Sequence, residues 1–88
     1  MILMDRENLL ARGWSHVVSL ENSVAELEAF RIEVGAPPPA LQIDNPDWPH
    51  LDLKGYPRTL ALARPGVMVF ETTRELIRYV HRQRGITS

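Results

Sequence analysis

The chain of 88 residues contains no cysteine and few aromatic residues. Without thiols it forms no disulfide, no thiolate metal centre and no cysteine nucleophile, so a metal site would have to use His, Asp or Glu. The five glycines are scattered singly, which argues against a Gly-rich phosphate loop or a dinucleotide-binding fingerprint, and no nucleophile elbow is present. No apolar run approaches the roughly 18 residues of a membrane span. The sequence therefore predicts a cytoplasmic protein with no membrane partner.

What is present is the composition of an ordinary globular protein, 44% hydrophobic and 24% charged with a net charge of −1. It excludes a disordered tail, and the length predicts a single domain over residues 1–88. The charge is unevenly spread, because residues 20–53 carry a net charge of −6 and residues 54–88 a net charge of +5. Such a split could produce attraction within one molecule, between copies, or toward separate partners.

Two capping boxes, which begin at Ser23 and Thr72, predict the starts of helices. In the first, the serine oxygen should accept the third helical N–H while Glu26 reaches back to the cap. Apolar residues at spacings of three and four then predict a helix over residues 23–34. A shorter third helix is predicted over residues 57–64, because it begins with proline and continues with leucine and alanine.

Short apolar runs between these helices are typical of strands. They are Ile2-Leu3-Met4, Leu41-Gln42-Ile43 and Val67-Met68-Val69-Phe70, with His16-Val17-Val18 as a fourth candidate. Continuous rather than alternating apolar character favours strands covered on both faces, as in parallel sheets. We therefore predict a small α/β sandwich with a three- to four-stranded, mainly parallel sheet and about three helices. Residues 44–56 are predicted to form a long connection, and long loops are often functional.

Acidic residues follow three of the predicted strands, at Asp5, Asp44 and Glu71. In open parallel sheets ligands gather outside the carboxyl ends of the strands. Thr72 and Thr73 open the last helix, where free N–H groups favour anions. Acids with nearby histidines could hold a divalent metal that polarises a phosphate or activates water. The alternative is structural, because acids commonly end strands and form turns.

The three histidines include two candidates for chemistry. If residues 50–52 are extended, His50 and Asp52 point to the same face, so they could share a metal, or the aspartate could fix the tautomer of the histidine. The alternative is a solvated pair in a loop. His16 is flanked by apolar residues, which favours a half-buried imidazole bonded to the backbone. Ser15 is not its nucleophilic partner, because adjacent strand side chains point to opposite faces.

The last helix carries a basic stripe, formed by Arg74, Arg78, His81 and Arg82. One positive charge per turn could give salt-sensitive attraction to nucleic acid, although no nucleic-acid-binding motif accompanies it. The alternative is a solvated outer face. Trp14 and Trp48 are interpreted as core or loop anchors.

Several short elements follow one another in a characteristic order. They are Met4-Asp5, Ser15-His16-Val17, Glu26-Leu27 through Gly35, His50-Leu51-Asp52, Arg58 with Leu60-Ala61-Leu62-Ala63, and Gly66-Val67. In this order, residues 2 to about 76 resemble a family of short bacterial and phage proteins catalogued as domain of unknown function number four thousand and thirty-one. The family name supplies no activity. The resemblance implies that one polar site is formed by Asp5, His16, His50, Asp52 and Arg58.

These observations predict a polar pocket at the carboxyl ends of the strands. Asp5, His50 and Asp52 would be its metal ligands or acid–base groups, His16 a neighbour, and Arg58 the anchor for a phosphate or carboxylate. The pocket would bind a small anionic ligand or a nucleic-acid phosphate, with a divalent metal as the candidate cofactor. If a reaction occurs, it is the hydrolysis of a phosphoester.

Two alternatives stay open. In the first, the chain is a non-catalytic interaction module, a homodimer or an adaptor, as its charge split and small core would suit. In the second, it binds nucleic acid through the basic stripe of the last helix.

Overall fold

A single sheet of five strands runs through the computed structural model, which describes residues 1–85. The strands are β1 (Ile2–Asp5), β2 (Trp14–Ser19), β3 (Leu41–Gln42), β4 (His50–Lys54) and β5 (Met68–Phe70). Their order across the sheet is β3-β4-β2-β1-β5. The α/β class is thus confirmed, and so is His16-Val17-Val18 as part of a strand.

The sheet is mixed, with only β1 and β5 parallel. The β1–β2, β2–β4 and β3–β4 pairs are all antiparallel. The prediction of three or four mainly parallel strands is therefore wrong in both number and direction. Its premise failed because Leu3 and Met4 of β1 and Val17 and Val18 of β2 are buried on both faces of the sheet, although these two strands are antiparallel.

Strand β4 lies within the segment that was predicted to be a long connection. Residues 50–54 alternate polar and apolar side chains, which is the pattern of a half-buried antiparallel strand. A prediction based on continuous apolar runs does not detect this alternation. The connection between β3 and β4 is consequently much shorter than predicted.

Three α-helices accompany the sheet: α1 (Val24–Val34), α2 (Gly55–Ala63) and α3 (Thr73–Gln83). The predicted caps of two of them are confirmed, because Ser23 and Thr72 each accept a hydrogen bond from the third helical N–H. Helix α2 begins at Gly55 rather than at the predicted Pro57, which is its third residue. Proline is tolerated there because the first-turn N–H groups have no partner within the helix.

The capping box of α1 is completed through a further residue. Glu26 does not reach back to the N–H of Ser23 but accepts a hydrogen bond from the hydroxyl of Ser19 at 2.6 Å. The N–H of Ser23 donates to that same hydroxyl oxygen at 3.0 Å. Ser19 at the end of β2 thereby attaches the start of the helix to the sheet.

The helices form two layers on opposite faces of the sheet. Helices α1 and α2 cover the core that includes Met4, Val17 and Leu51, whereas α3 packs over Leu3 and Val18. The contacts of α3 with the sheet concentrate on β1 and β5. On this face, the polar side chains of β2 and β4 consequently lie beside α3, within reach of solvent. None of the helices within residues 1–85 has the length and apolar character needed to cross a membrane.

Candidate active site

Asp5, the last residue of β1, lies directly beside His16 of β2. The antiparallel register pairs Met4 with Val17, which makes Asp5 and His16 the next pair and points both toward the α3 face. The Asp5 carboxylate accepts a hydrogen bond from the ring Nδ1 of His16 at 2.8 Å and from the backbone N–H of His16 at 2.6 Å. The hairpin geometry thus produces an aspartate–histidine pair.

Helix α3 supplies a third contact to the same carboxylate. The hydroxyl of Thr73, in the first turn of α3, donates to Oδ2 of Asp5. Asp5 is completely buried, and both of its oxygens are engaged. This placement suits a carboxylate that positions His16, and the predicted role of Asp5 as a metal ligand or acid–base group stays a prediction.

The pKa values of the pair respond to this geometry in opposite directions. Burial alone would raise the pKa of Asp5, but the hydrogen bonds from the His16 ring, the Thr73 hydroxyl and the His16 backbone outweigh it and lower the pKa. The hydrogen bond to Asp5 raises the pKa of His16 above the ordinary 6.5 against the opposing effect of burial, and the charges of Asp5 and Asp52 add to the rise. The pair thus favours an ionised Asp5 and a His16 that readily holds a proton.

The tautomer of His16 follows from its partner. A carboxylate can only accept, so the neutral ring carries its proton on Nδ1 and presents the lone pair of Nε2. Within residues 1–85, no hydrogen bond to His16 Nε2 is recorded. The buried carboxylate thus fixes both the tautomer and the orientation of the ring, as in aspartate–histidine pairs that transfer protons.

A second imidazole, that of His50, lies next to the first. The β2–β4 register pairs His16 with Asp52, and the extended conformation of β4 places His50 and Asp52 on one face. The ring centroids of His16 and His50 are 5.8 Å apart, and their side chains are 24% and 23% exposed. Both rings are therefore half-buried and accessible from the same side.

An oxygen atom lies near each ring nitrogen of His50. Its Nδ1 lies 3.1 Å from the carbonyl oxygen of Trp48, and its Nε2 lies 3.4 Å from Oδ1 of Asp52. A doubly protonated ring could donate at each nitrogen. Of the two roles considered for Asp52, orienting His50 is the one that this contact favours.

Four of the predicted site residues therefore come together: Asp5, His16, His50 and Asp52 share one face of the sheet, with Thr73 beside them. Thr72 does not join them, because its hydroxyl is the cap of α3 and accepts from the N–H of Glu75 at 3.2 Å. The anion at the start of α3 is Asp5 itself. Thr73 thus binds a carboxylate of its own chain, in place of the ligand that was predicted.

Arg58 lies on the opposite face of the sheet. Its Nε donates to the hydroxyl of Ser15 at 2.8 Å, and its guanidinium also contacts the carbonyl oxygen of Arg6. Ser15 is buried and donates to that same carbonyl at 2.8 Å. Arg58 consequently ties α2 to the segment that follows β1, and its predicted role as a ligand anchor beside His50 is not met by this placement. Ser15 and His16 do point to opposite faces.

The three acids that were predicted to share one rim do not do so. Strand β3 runs opposite to β4, and β4 runs parallel to β1, so Asp44 lies toward the other edge of the sheet from Asp5. Glu71 is exposed and accepts from Nε of Arg6 at 3.1 Å. Glu71 follows β5, which is parallel to β1, so it does lie at the same end of the sheet as Asp5. The rim prediction fails for Asp44, because it required all the strands to be parallel.

The metal prediction gains no support from this geometry. Within residues 1–85, no group of three or more His, Asp or Glu side chains has an arrangement suited to a metal ion. Of the proposed ligands Asp5, His50 and Asp52, the first has both oxygens committed to His16 and Thr73. A divalent metal therefore remains a prediction made from sequence.

The basic stripe of α3 is partly structural. Its three arginines are exposed, but the ring of His81 packs edge-on against Trp48, with centroids 6.0 Å apart. A neighbouring arginine, Arg84, lies over the same indole at 5.4 Å and donates to the carbonyls of Ser19 and Leu20. Part of the positive charge at this end of the chain thus fastens α3 to the sheet.

Sequence reasoning missed two residues near the site, Trp14 and Lys54. They are cross-strand partners two residues along from the His16–Asp52 pair, and the Lys54 ammonium lies 5.0 Å from the centre of the Trp14 ring. Their proximity depends on the register of two strands that are distant in sequence, so no local signal revealed it.

Comparisons with protein-family models, with curated proteins and with solved structures give no match for the chain. The resemblance to the domain of unknown function stays a prediction. What can be said of the site is what its residues and their geometry support: an imidazole oriented by a buried carboxylate, with a second imidazole beside it.

Proposed function

We propose that this protein hydrolyses a phosphoester by acid–base catalysis, with His16 as the proton-transferring group. The observation that carries the proposal is the 2.8 Å hydrogen bond from His16 Nδ1 to the buried carboxylate of Asp5. A positioned imidazole of this kind supplies about 10²- to 10⁴-fold rate acceleration in known acid–base mechanisms.

The neighbouring imidazole favours a phosphoester over other substrates. Cleaving such an ester requires one proton to be removed from the attacking oxygen and another to be given to the leaving oxygen. Two half-buried rings with centroids 5.8 Å apart could carry out these two proton transfers, one ring for each, on the same face of the sheet. In their protonated forms they also donate hydrogen bonds to negatively charged phosphoryl oxygens, which places positive charge where negative charge accumulates.

In the proposed step, the lone pair of His16 Nε2 takes a proton from a water molecule, and the water oxygen forms a bond to phosphorus. The bond from phosphorus to the leaving oxygen breaks, and its electron pair stays on that oxygen. The imidazolium of His50 donates the proton that completes the alcohol. The products are a phosphomonoester and an alcohol, and exchange with solvent returns both rings to their starting protonation states.

The test is the release of p-nitrophenolate from bis(p-nitrophenyl) phosphate in the presence of EDTA. We expect turnover under these conditions, with kcat/KM rising with pH through the raised pKa of His16, because the base form of the ring accepts the proton. The control is the reaction without enzyme at each pH, which corrects for hydrolysis by hydroxide. Absence of turnover, or turnover that requires an added divalent metal, would contradict the proposed mechanism.

A further inference from the structure

A cavity of about 470 Å³ opens at the end of β4, with Asp52 in its wall. Its walls come from β2, from the proline-rich turn that precedes β3, and from the junction of β4 with α2. Flat or rigid side chains contribute much of this lining, among them Trp14, Pro39 and Tyr56, and polar atoms come from Gln42, Asp52 and Lys54. Its volume is in the range of small-molecule sites, about 300–1,000 Å³.

Asp52 belongs both to the cavity and to the proposed active site. This carboxylate lines the cavity and also lies 3.4 Å from Nε2 of His50. The cross-strand pair of Trp14 and Lys54 lies two residues, or about 7 Å, along the strands from the pair of His16 and Asp52. A group bound in the cavity would thus lie next to Asp52, which in turn contacts His50.

The lining is suited to a planar ring. Trp14 lines the cavity and carries the Lys54 ammonium 5.0 Å from its ring centre. Tyr56 is 71% exposed, so its ring is available to a ligand. Stacking on such rings tolerates any nucleobase. Lys54 in addition provides a positive charge in the lining of the cavity.

The polar groups of the cavity narrow the choice of ring. The amide nitrogen of Gln42 donates to the carbonyl oxygen of Pro39 at 2.9 Å, which leaves the amide oxygen of Gln42 as an acceptor. The carboxylate of Asp52 is also an acceptor. These two acceptors favour a ring that carries an exocyclic amino group, and the Lys54 ammonium can donate to a ring acceptor beside it.

We infer that this cavity binds the nucleobase of a nucleotide phosphoester, with a preference for amino-bearing bases such as adenine. The inference rests on the proposed function, because the imidazoles are the reason to expect a phosphoester next to the cavity. It assigns Trp14 and Tyr56 to stacking and Asp52 and Gln42 to the recognition of the amino group.

The experiment is the titration of adenosine, which lacks phosphate, into the full chain by isothermal calorimetry, with uridine in parallel. We expect measurable adenosine binding, weaker uridine binding, and a loss of at least tenfold in adenosine affinity for Trp14→Ala and for Tyr56→Ala. Because Tyr56 is largely exposed, the second variant keeps the test valid if Trp14→Ala folds poorly. Trp48→Phe is the matched control, since that indole packs against α3, and its affinity should stay within about twofold of wild type.

The outcomes separate this inference from the proposed function. Unchanged adenosine affinity in both variants, or no binding to wild type, would overturn the nucleobase site even if bis(p-nitrophenyl) phosphate is hydrolysed. If adenosine binds as expected but wild type has no turnover, the cavity assignment stands and the hydrolase proposal fails.

Discussion

Replacing His16 with asparagine is expected to lower the turnover of bis(p-nitrophenyl) phosphate by about 10²- to 10⁴-fold. Asparagine places an amide N–H near the position of Nδ1 of the imidazole, so the hydrogen bond to Asp5 can be kept. The position of Nε2, which the mechanism uses as the proton acceptor, is left empty. The variant therefore removes the chemistry while it preserves the contact that supports the fold.

The matched control for this variant is His81→Asn. His81 lies on helix α3, and its ring packs against Trp48. The proposed mechanism does not use His81. We expect turnover within about threefold of wild type for the control, with both variants retaining wild-type circular dichroism. If His16→Asn also stayed within threefold of wild type, His16 would have no role as the catalytic base.

Replacing Asp5 with alanine is expected to destabilise the protein by about 3 kcal/mol. Removing one partner of a buried ion pair costs about 3–5 kcal/mol, and the lower end applies because the His16 ring is 24% exposed. The variant also leaves the Thr73 hydroxyl and the backbone N–H of His16 without their acceptor. This is a large share of the roughly 5–15 kcal/mol that stabilises a typical domain.

The measurement is urea unfolding of wild type and Asp5→Ala, followed by tryptophan fluorescence. Thr73→Val is the control, because it removes a single hydrogen bond from the same carboxylate and should cost about 1 kcal/mol. Equal losses for the two variants would show that the contact with His16 contributes little to the stability of the fold.

The pH dependence of the lost free energy of unfolding gives a second readout from the same experiment. The His16 pKa is raised in the folded state. The stability that His16 contributes is therefore fully present below the ordinary 6.5 and disappears as the pH rises through the folded-state value. The Asp5 pKa is lowered, so its contribution is present above the ordinary 3.8 and disappears as the pH falls through the lowered value. The difference between wild type and Asp5→Ala should consequently be larger at pH 5.5 than at pH 9.

Local signals in the sequence were sufficient to predict the helices. The capping residues Ser23 and Thr72 determine where α1 and α3 begin, and both act through atoms within three residues of themselves. The strand directions could not be predicted in the same way. Whether β1 is followed by an antiparallel or a parallel neighbour depends on the short connection over residues 6–13 and on which faces the helices cover, and neither is a local property.

The candidate site was also predicted only in part, because contacts between nearby residues can be predicted from sequence and contacts that depend on strand register cannot. His50 and Asp52 are two residues apart, so an extended conformation is enough to place them on one face. Asp5 and His16 meet only because β1 and β2 form a hairpin with Met4 opposite Val17. Without the register, His16 was interpreted as a neighbour although it is the centre of the cluster.

The placement of Arg58 away from the predicted pocket has a different origin. An arginine near the start of a helix is a reasonable anchor for an anion, but here the backbone carbonyl of Arg6 and the hydroxyl of Ser15 need donors on that side of the sheet. These acceptors come from residues more than forty positions away along the chain. Such long-range demands of buried polar groups are absent from any motif.

The account depends most directly on the state of the His16 ring, which nitrogen-15 NMR of the imidazole side chains measures as a function of pH. We expect a neutral His16 protonated at Nδ1, a pKa above the ordinary 6.5, and a fall of that pKa in Asp5→Asn. A neutral ring protonated at Nε2, or a pKa at or below 6.5 that Asp5→Asn leaves unchanged, would contradict the proposed acid–base site.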